Sequence, residues 1–327
     1  MKLKIPLFVF CLFLNFICRV SAQQPVQYSL YMLNPYQYNC AYNGLDESLS
    51  ATAVFRKQWV NFPGTPLGFN VNAHLPVEYI NSGFGLSFEY ESIGAYTNNY
   101  AKASYSYIID MGKQGKLSLG AAFRFMQKTL DGSVLRSPDG QYGGGNFNHM
   151  DDLIPFSKVS SQTFSADAGI YYKNNVFEAG ISAINLTAPS LKLNAGTLQE
   201  IKYLRNFMFN ASYKWKVSSD VTLQPTLLVK TDLIKFQAEA GLLVRYKNLL
   251  FAGVNFRGYG NDTNDAVVFL AGFQFNKNMF LAYSYDLSVS ALSGFNSGSH
   301  EVVLSYNLNK PIGKAIPPKI IYNPRFL

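Results

Sequence analysis

The chain has 327 residues and a formal net charge of +8; charged residues and aromatic residues each make up 15%. It contains no Lys/Arg blocks, so nucleic-acid binding has no electrostatic footprint. A surface so poor in charge is also unsuited to an ordinary soluble protein.

Residues 1–22 read as an export signal. Lys2 and Lys4 precede the apolar run IPLFVFCLFLNFIC, and VSA ending at Ala22 is a small-residue cleavage site. The run is shorter than the roughly 20 residues of a spanning helix. Cys11 and Cys18 leave with it, so the exported chain keeps only Cys40 and forms no internal disulfide. Residues 23–48 form a leader. Its core, QYSLYMLNPYQYNCAYNG (27–44), carries five tyrosines and no charge. It has neither helical nor strand periodicity.

From residue 49 to 308 the chain alternates with period two. Fourteen strands are expected: 49–58, 67–75, 82–91, 98–109, 115–128, 162–173, 176–185, 205–217, 221–231, 236–247, 249–258, 265–275, 278–288 and 299–308. In SGFGLSFEYE, Phe84, Leu86, Phe88 and Tyr90 share one face; Gly83, Gly85, Ser87 and Glu89 share the other. FQAEAGLLVRY sets Phe236, Ala238, Ala240, Leu242 and Val244 against Gln237, Glu239, Gly241, Leu243 and Arg245. The second face is mostly small and polar with a few isolated charges, which suits the crowded inside of a small barrel. Tyrosines and tryptophan near strand ends (Tyr90, Tyr105, Tyr107, Tyr171, Tyr172, Trp215, Tyr246, Tyr283) fit an interfacial girdle. The fold class is therefore all-β: an antiparallel transmembrane β-barrel of about 14 strands, in the outer membrane. An open sheet would leave unpaired backbone groups in lipid, so the sheet must close.

Connections after even strands are short, whereas 129–161, 186–204 and 289–298, after odd strands, are long. Short turns belong to the periplasm and long loops to the cell surface. In loop 129–161, Asp131, Asp139, His149, Asp151 and Asp152 raise a cation site, but their spacing misses the calcium-loop pattern, and a solvated loop is the preferred reading. Pro225, inside VTLQPTLLVK, is expected to mark a bulge. His300 and Glu301, adjacent in SGSHEVVLSYNL, read as a structural or interfacial pair. No GxSxG, HExxH, phosphate-loop or dinucleotide motif is present. No enzyme activity, metal or cofactor is expected.

The opening stretch followed by FRKQWVNFPGTP resembles the amino terminus of the PorP/SprF family of outer-membrane proteins, which serve type IX secretion and gliding in Bacteroidota. Gln27, Tyr28, Tyr31, Asn34, Pro35, Asn39, Ala41, Tyr42 and Gly44 match the first motif. Arg56, Gln58, Trp59, Phe62, Gly64 and Pro66, with His300 and Glu301, match others. HLPV at 74–77 and the terminal YNPRFL extend the resemblance. One departure is NCAY, where the family usually has asparagine–proline–alanine–tyrosine.

The resemblance implies a barrel without chemistry of its own. Its partners would be a secreted, adhesin-like surface protein with a C-terminal sorting domain, periplasmic or outer-membrane secretion components, and outer-membrane lipid. It would help export or retain that cargo at the surface. The alternative is a general diffusion porin or substrate channel. The leader is expected to pack inside the barrel as a partial plug, or to cap its lower mouth. The tail, 309–327, mixes basic, apolar and proline residues. It is expected to dock a periplasmic component through Tyr322, Arg325 and Phe326.

Overall fold

The computed structural model describes residues 26–112, 115–143, 147–195, 197–259, 263–310 and 312; the export signal and most of the tail lie outside them. The strands are β1 (Ser50–Lys57), β2 (Leu67–Val77), β3 (Ser82–Ile93), β4 (Tyr96–Asp110), β5 (Lys116–Asp131), β6 (Lys158–Lys173) and β7 (Phe177–Ile184), then β8 (Ser190–Ala195) and β9 (Thr197–Lys202). They continue as β10 (Asn206–Tyr213), β11 (Trp215–Lys216), β12 (Val221–Thr231), β13 (Phe236–Tyr246), β14 (Leu250–Tyr259), β15 (Thr263–Gln274), β16 (Met279–Ser288) and β17 (Ser299–Asn307).

Every wall strand pairs antiparallel with its neighbours in sequence, and β17 returns to pair with β1. Pairing of β10 with both β7 and β12 completes the ring. β11 continues β10, so the wall is a closed barrel of fourteen strands, as the periodicity predicts. Closure leaves no sheet edge to face lipid. The alternation also holds. On β13, Gln237, Glu239 and Leu243 are buried inside while Phe236, Leu242, Val244 and Tyr246 are exposed outside.

Two details differ from the expectation. Tyr171 is not part of an outer girdle. It points inward, is fully buried, and packs edge-on to Tyr42 at 5.0 Å. Adjacent strand residues face opposite sides, so Tyr171 and Tyr172 cannot both face lipid. Pro225 makes no bulge. It pairs with Leu242 in an unbroken β12–β13 register. On its other side the β10 ladder lapses after Ser212–Thr226 and resumes at Trp215–Leu223 without slipping. Proline has no N–H to donate there. The register shift falls instead at Arg257/Gly258.

The two ends of the barrel differ. The connections after β1, β3, β5, β7, β12, β14 and β16 emerge at one rim, which includes all the long ones. The other rim has short turns and the last described residues. Residues 186–204, expected as a loop, form the β8–β9 hairpin. Leu191, Leu193, Ile201 and Tyr203 pack on Met126 and Leu130 of β5. The hairpin thereby covers part of the long-loop rim.

Trp59 and Trp215 are the only tryptophans of the chain. Trp215 is 59% exposed on the outer wall, next to the short-turn rim. In a Trp59→Phe variant, the remaining Trp215 emission should be quenched strongly by brominated lipid. A water-like spectrum insensitive to bromine would contradict the outward placement.

Candidate functional site

The leader has no repeating pattern because its turns are punctuated. A 3-10 turn at Tyr31–Leu33 leads to a single helical turn, Pro35–Tyr38, with Pro35 at its first position. A second 3-10 turn, Cys40–Tyr42, is capped by Asn39, whose Oδ1 accepts from the Ala41 N–H at 2.9 Å. All five tyrosines, Tyr28, Tyr31, Tyr36, Tyr38 and Tyr42, are buried. Each supplies a large apolar ring, and the hydroxyls of four are bonded within the interior. Tyr31 donates to Thr226 Oγ1 (3.0 Å), Tyr38 to the Tyr28 carbonyl (3.2 Å) and Tyr42 to Asp46 (2.7 Å), while Tyr36 meets Ser104 Oγ at 2.7 Å.

The wall makes room for this segment with its small inward residues. A Cβ on Gly85 would collide with Tyr36 and Asn43, and one on Gly120 would collide with Ala41. The leader has a direction. Val26 and Tyr28 lie against Gly68 near the long-loop rim. Asp46 and Glu47 meet Lys173 and Lys116 at the short-turn rim.

Its upper end is gripped by charges. Arg56 and Glu301 are cross-strand partners on β1 and β17; Glu239 and Arg257 are partners on β13 and β14. Both pairs point inward. Arg56 reaches Asp286 (2.7 Å) and Glu301 (3.0 Å); Arg257 reaches Glu239 (2.6 Å) and Asp286 (3.1 Å). Ser29 sits among them. Its hydroxyl donates to Asp286 (2.7 Å) and accepts from Arg56 Nη1 (2.9 Å) and Arg257 Nη2. The Glu301 carboxylate accepts the backbone N–H groups of Ser29 (2.7 Å) and Leu30 (2.9 Å). Gln27 bonds Lys230 and Glu239.

The lower end is held at Asp46. Its carboxylate accepts from Lys173 (2.7 Å), Tyr42 (2.7 Å) and Ser50 (2.9 Å), with His74 Nε2 at 3.5 Å. Burial pushes this carboxyl up, but Lys173 and His74 outweigh it and hold the group well below the usual carboxylate range. Between the two ends, Asn39 Nδ2 donates to the carbonyls of Ile170 and Ile181, and Ser182 donates to the Tyr38 carbonyl. Cys40 is a buried free thiol, which burial pushes up to about 11, away from thiolate chemistry.

The motif residues named from the sequence fall into two groups. Gln27, Tyr28, Tyr31, Asn34, Pro35, Asn39, Ala41, Tyr42 and Gly44 all lie in the leader, and Arg56 and Glu301 meet it there. Gln58, Trp59, Phe62, Gly64 and Pro66 build the first rim turn. In it the Gln58 N–H donates to the Pro66 carbonyl (2.9 Å), and Gly64 has φ +73°. His300 and Glu301 do not form a pair. Glu301 points into the lumen, while His300 faces outward and bonds the Tyr283 hydroxyl at 2.6 Å. The expectation of few inward charges also fails, because the isolated charges of successive strands converge on one another. Lys173, Arg257 and Asp286 also belong to the site, and a single inward charge on an apolar alternation is the signal for each; Ser29 and Asp46, in the unpatterned leader, carry no such signal. In loop 129–161, His149 is buried against Tyr142, Phe147 and Phe156, and Asp131 and Asp151 bond turn N–H groups. Among the described residues no three His, Cys, Asp or Glu side chains are grouped to hold a metal. Tyr322, Arg325 and Phe326 lie outside the described residues.

Removing one partner of a buried charge network leaves the others uncompensated, at a cost of about 3–5 kcal/mol. Arg56→Leu should therefore lower the denaturant midpoint of the folded barrel far more than Ser29→Ala, read by loss of the heat-modifiable band. At the other end, the depressed Asp46 contributes stability that is fully present above about pH 4 and lost as pH falls through its folded value. Asp46→Asn should flatten that acid limb in a pH series of unfolding midpoints. An unchanged limb would remove Asp46 from its cause.

Comparison with known proteins gives a family for this chain. The family described as "Type IX secretion system membrane protein PorP/SprF" matches residues 20–306. No curated protein sequence matches. Among solved structures, the Pseudomonas putida toluene transporter TodX is similar at 8% identity, over 89% of this chain and 96% of that chain, with a TM-score of 0.46. The Acinetobacter baumannii outer membrane protein Omp33 is similar at 5% identity, over 80% and 97% of the two chains, with a TM-score of 0.45. This outer-membrane β-barrel belongs to the PorP/SprF family of type IX secretion system membrane proteins.

Proposed function

We propose that this barrel helps export a secreted cell-surface protein, or retains it at the surface, by engaging its C-terminal sorting domain, and that it does no chemistry of its own. The observation that carries this reading is the occupied lumen. The leader is hydrogen-bonded to β4, β6, β7, β12, β16 and β17, at positions right around the inner wall. A diffusion porin needs an open, water-filled path, whereas here buried tyrosines and ion pairs fill the interior. We therefore read the leader as a plug.

What remains for a partner is the long-loop rim, which the loop-length rule assigns to the cell surface. Residues 132–157 carry exposed apolar side chains, among them Met150 (59%), Leu153 (62%) and Phe156 (58%), and Phe295 (70%) stands elsewhere on the same rim, on loop 289–298. Exposed apolar groups clustered on long loops mark a protein-interaction surface.

Two measurements test the reading. Liposomes carrying the purified barrel should show no solute flux in a swelling assay; flux graded by solute size would favour the porin. Deleting 137–152 should abolish surface retention of the cargo while leaving a heat-modifiable barrel. Normal retention after that deletion would contradict the assignment of the rim.

A further inference from the structure

At its long-loop end the closing seam differs on the two faces of the wall. On the inner face Arg56 of β1 stands opposite Glu301 of β17, an ion pair at 3.0 Å. The next rung sets Lys57 opposite His300. The pleat turns this rung outward. Lys57 is exposed, and among the described residues its ammonium has no carboxylate partner and makes no hydrogen bond. β1 and β2 contain no acid. The acids of β16 and β17, Asp286 and Glu301, are buried on the inner face, held by Arg56 and Arg257.

The His300 ring is fixed from one side. The Tyr283 hydroxyl meets its Nδ1 at 2.6 Å, and the Tyr285 ring stands 5.3 Å away. With that hydroxyl donating, the ring proton sits on Nε2, which is left without an acceptor among the described residues. Cross-strand Cβ atoms lie about 5 Å apart, so the Lys57 ammonium and the His300 Nε2 can converge on one acceptor. The first rim turn braces the seam above them. The Val60 N–H donates to the Gly298 carbonyl (2.8 Å) and the Trp59 N–H to Ser299 Oγ (3.1 Å). Below them, toward the middle of the wall, Phe55, Phe69, Val302 and Leu304 are exposed and form a continuous apolar face across β2, β1 and β17.

We propose that Lys57 and His300 bind the phosphate group of a lipid in the outer leaflet. The two nitrogens donate to its phosphate oxygens, and its acyl chains lie along Phe55, Phe69, Val302 and Leu304. Two donors face each other there without an acceptor, which leaves a place for one anion. The place is on the lipid-facing side of the wall, at the rim that the loop-length rule assigns to the cell surface. A free phosphate would use the donors alone; the apolar face directly beneath them selects a lipid. Lysine binds phosphate as a point charge and needs no forked geometry to do so. The bound phosphate bridges β1 and β17 from outside, one rung from the Arg56–Glu301 pair that bridges them inside.

The test uses the full-length barrel in detergent, with dioctanoyl phosphatidic acid as probe. Dioctanoylglycerol, which lacks the phosphate, and inorganic phosphate are the controls. Native mass spectrometry should show the phosphatidic acid retained, and neither control at the same concentration. Lys57→Gln/His300→Gln should weaken retention roughly tenfold or more, and Lys57→Arg should keep it. Folding of each variant is checked by unchanged heat-modifiability. Lys277→Gln, on the turn between β15 and β16 at the opposite rim, should leave the affinity unchanged. Equal retention of dioctanoylglycerol, equal binding of inorganic phosphate, or an undiminished affinity in the double variant overturns the site. So does an equal loss in Lys277→Gln, which would reduce the attraction to net charge. These outcomes bear on the seam alone, since the reading of the rim as a cargo surface stands or falls on the 137–152 deletion.

Discussion

One serine on the leader connects the inside of this protein to its wall. Ser29 lies where Arg56, Arg257 and Asp286 converge, and its backbone N–H and that of Leu30 fall on the Glu301 carboxylate. The charges arise from β1, β14, β16 and β17, which include both strands of the closing seam. Each is nearly inaccessible to solvent, so none is tolerable without the others. The leader supplies the neutral hydroxyl and N–H groups that complete their coordination.

This arrangement explains how so polar an interior persists in a membrane protein. The outward residues of the wall are apolar and meet lipid. The inward ones are shielded by the closed ring, where an ion pair has few competing waters and must be satisfied locally. Cross-strand registry does much of that work. Arg56 opposite Glu301, and Glu239 opposite Arg257, bring opposite charges together with no sequence proximity. The tyrosines fill the space between the two gripped ends with rigid rings. Lys173, His74 and Ser50 anchor Asp46 at the far end.

Much of the wall could be read in the sequence. Period-two alternation is local, so each of the fourteen strands announces itself, and loop length separates the rims. The site was less legible because it is made by pairings between distant strands. Glu239 and Arg245 were identifiable as inward charges, yet nothing local indicates that Glu239 meets Arg257 or that Asp286 meets Arg56. The pair at 300 and 301 shows the opposite failure. Neighbours in sequence suggested partnership, and the pleat sent them to opposite faces. The β8–β9 hairpin has no lipid-facing stripe to mark it, because its apolar residues pack on the rim end of β5. For Tyr171 the pleat alone shows that it and Tyr172 face opposite sides, while its packing partner Tyr42 lies more than a hundred residues away.

The leader's upper attachment bears on how the molecule forms. The bond from the Ser29 N–H to Glu301 spans 272 residues, nearly the whole distance between the first and last described elements. Contacts of such separation carry a large loop-closure entropy and form late. Glu301 lies on β17, whose pairing with β1 is also the closing seam. The leader's upper attachment and the sealing of the ring therefore both require β17 in place. Without β17 the wall would keep an open sheet edge at β1, and Arg56 would lack Glu301.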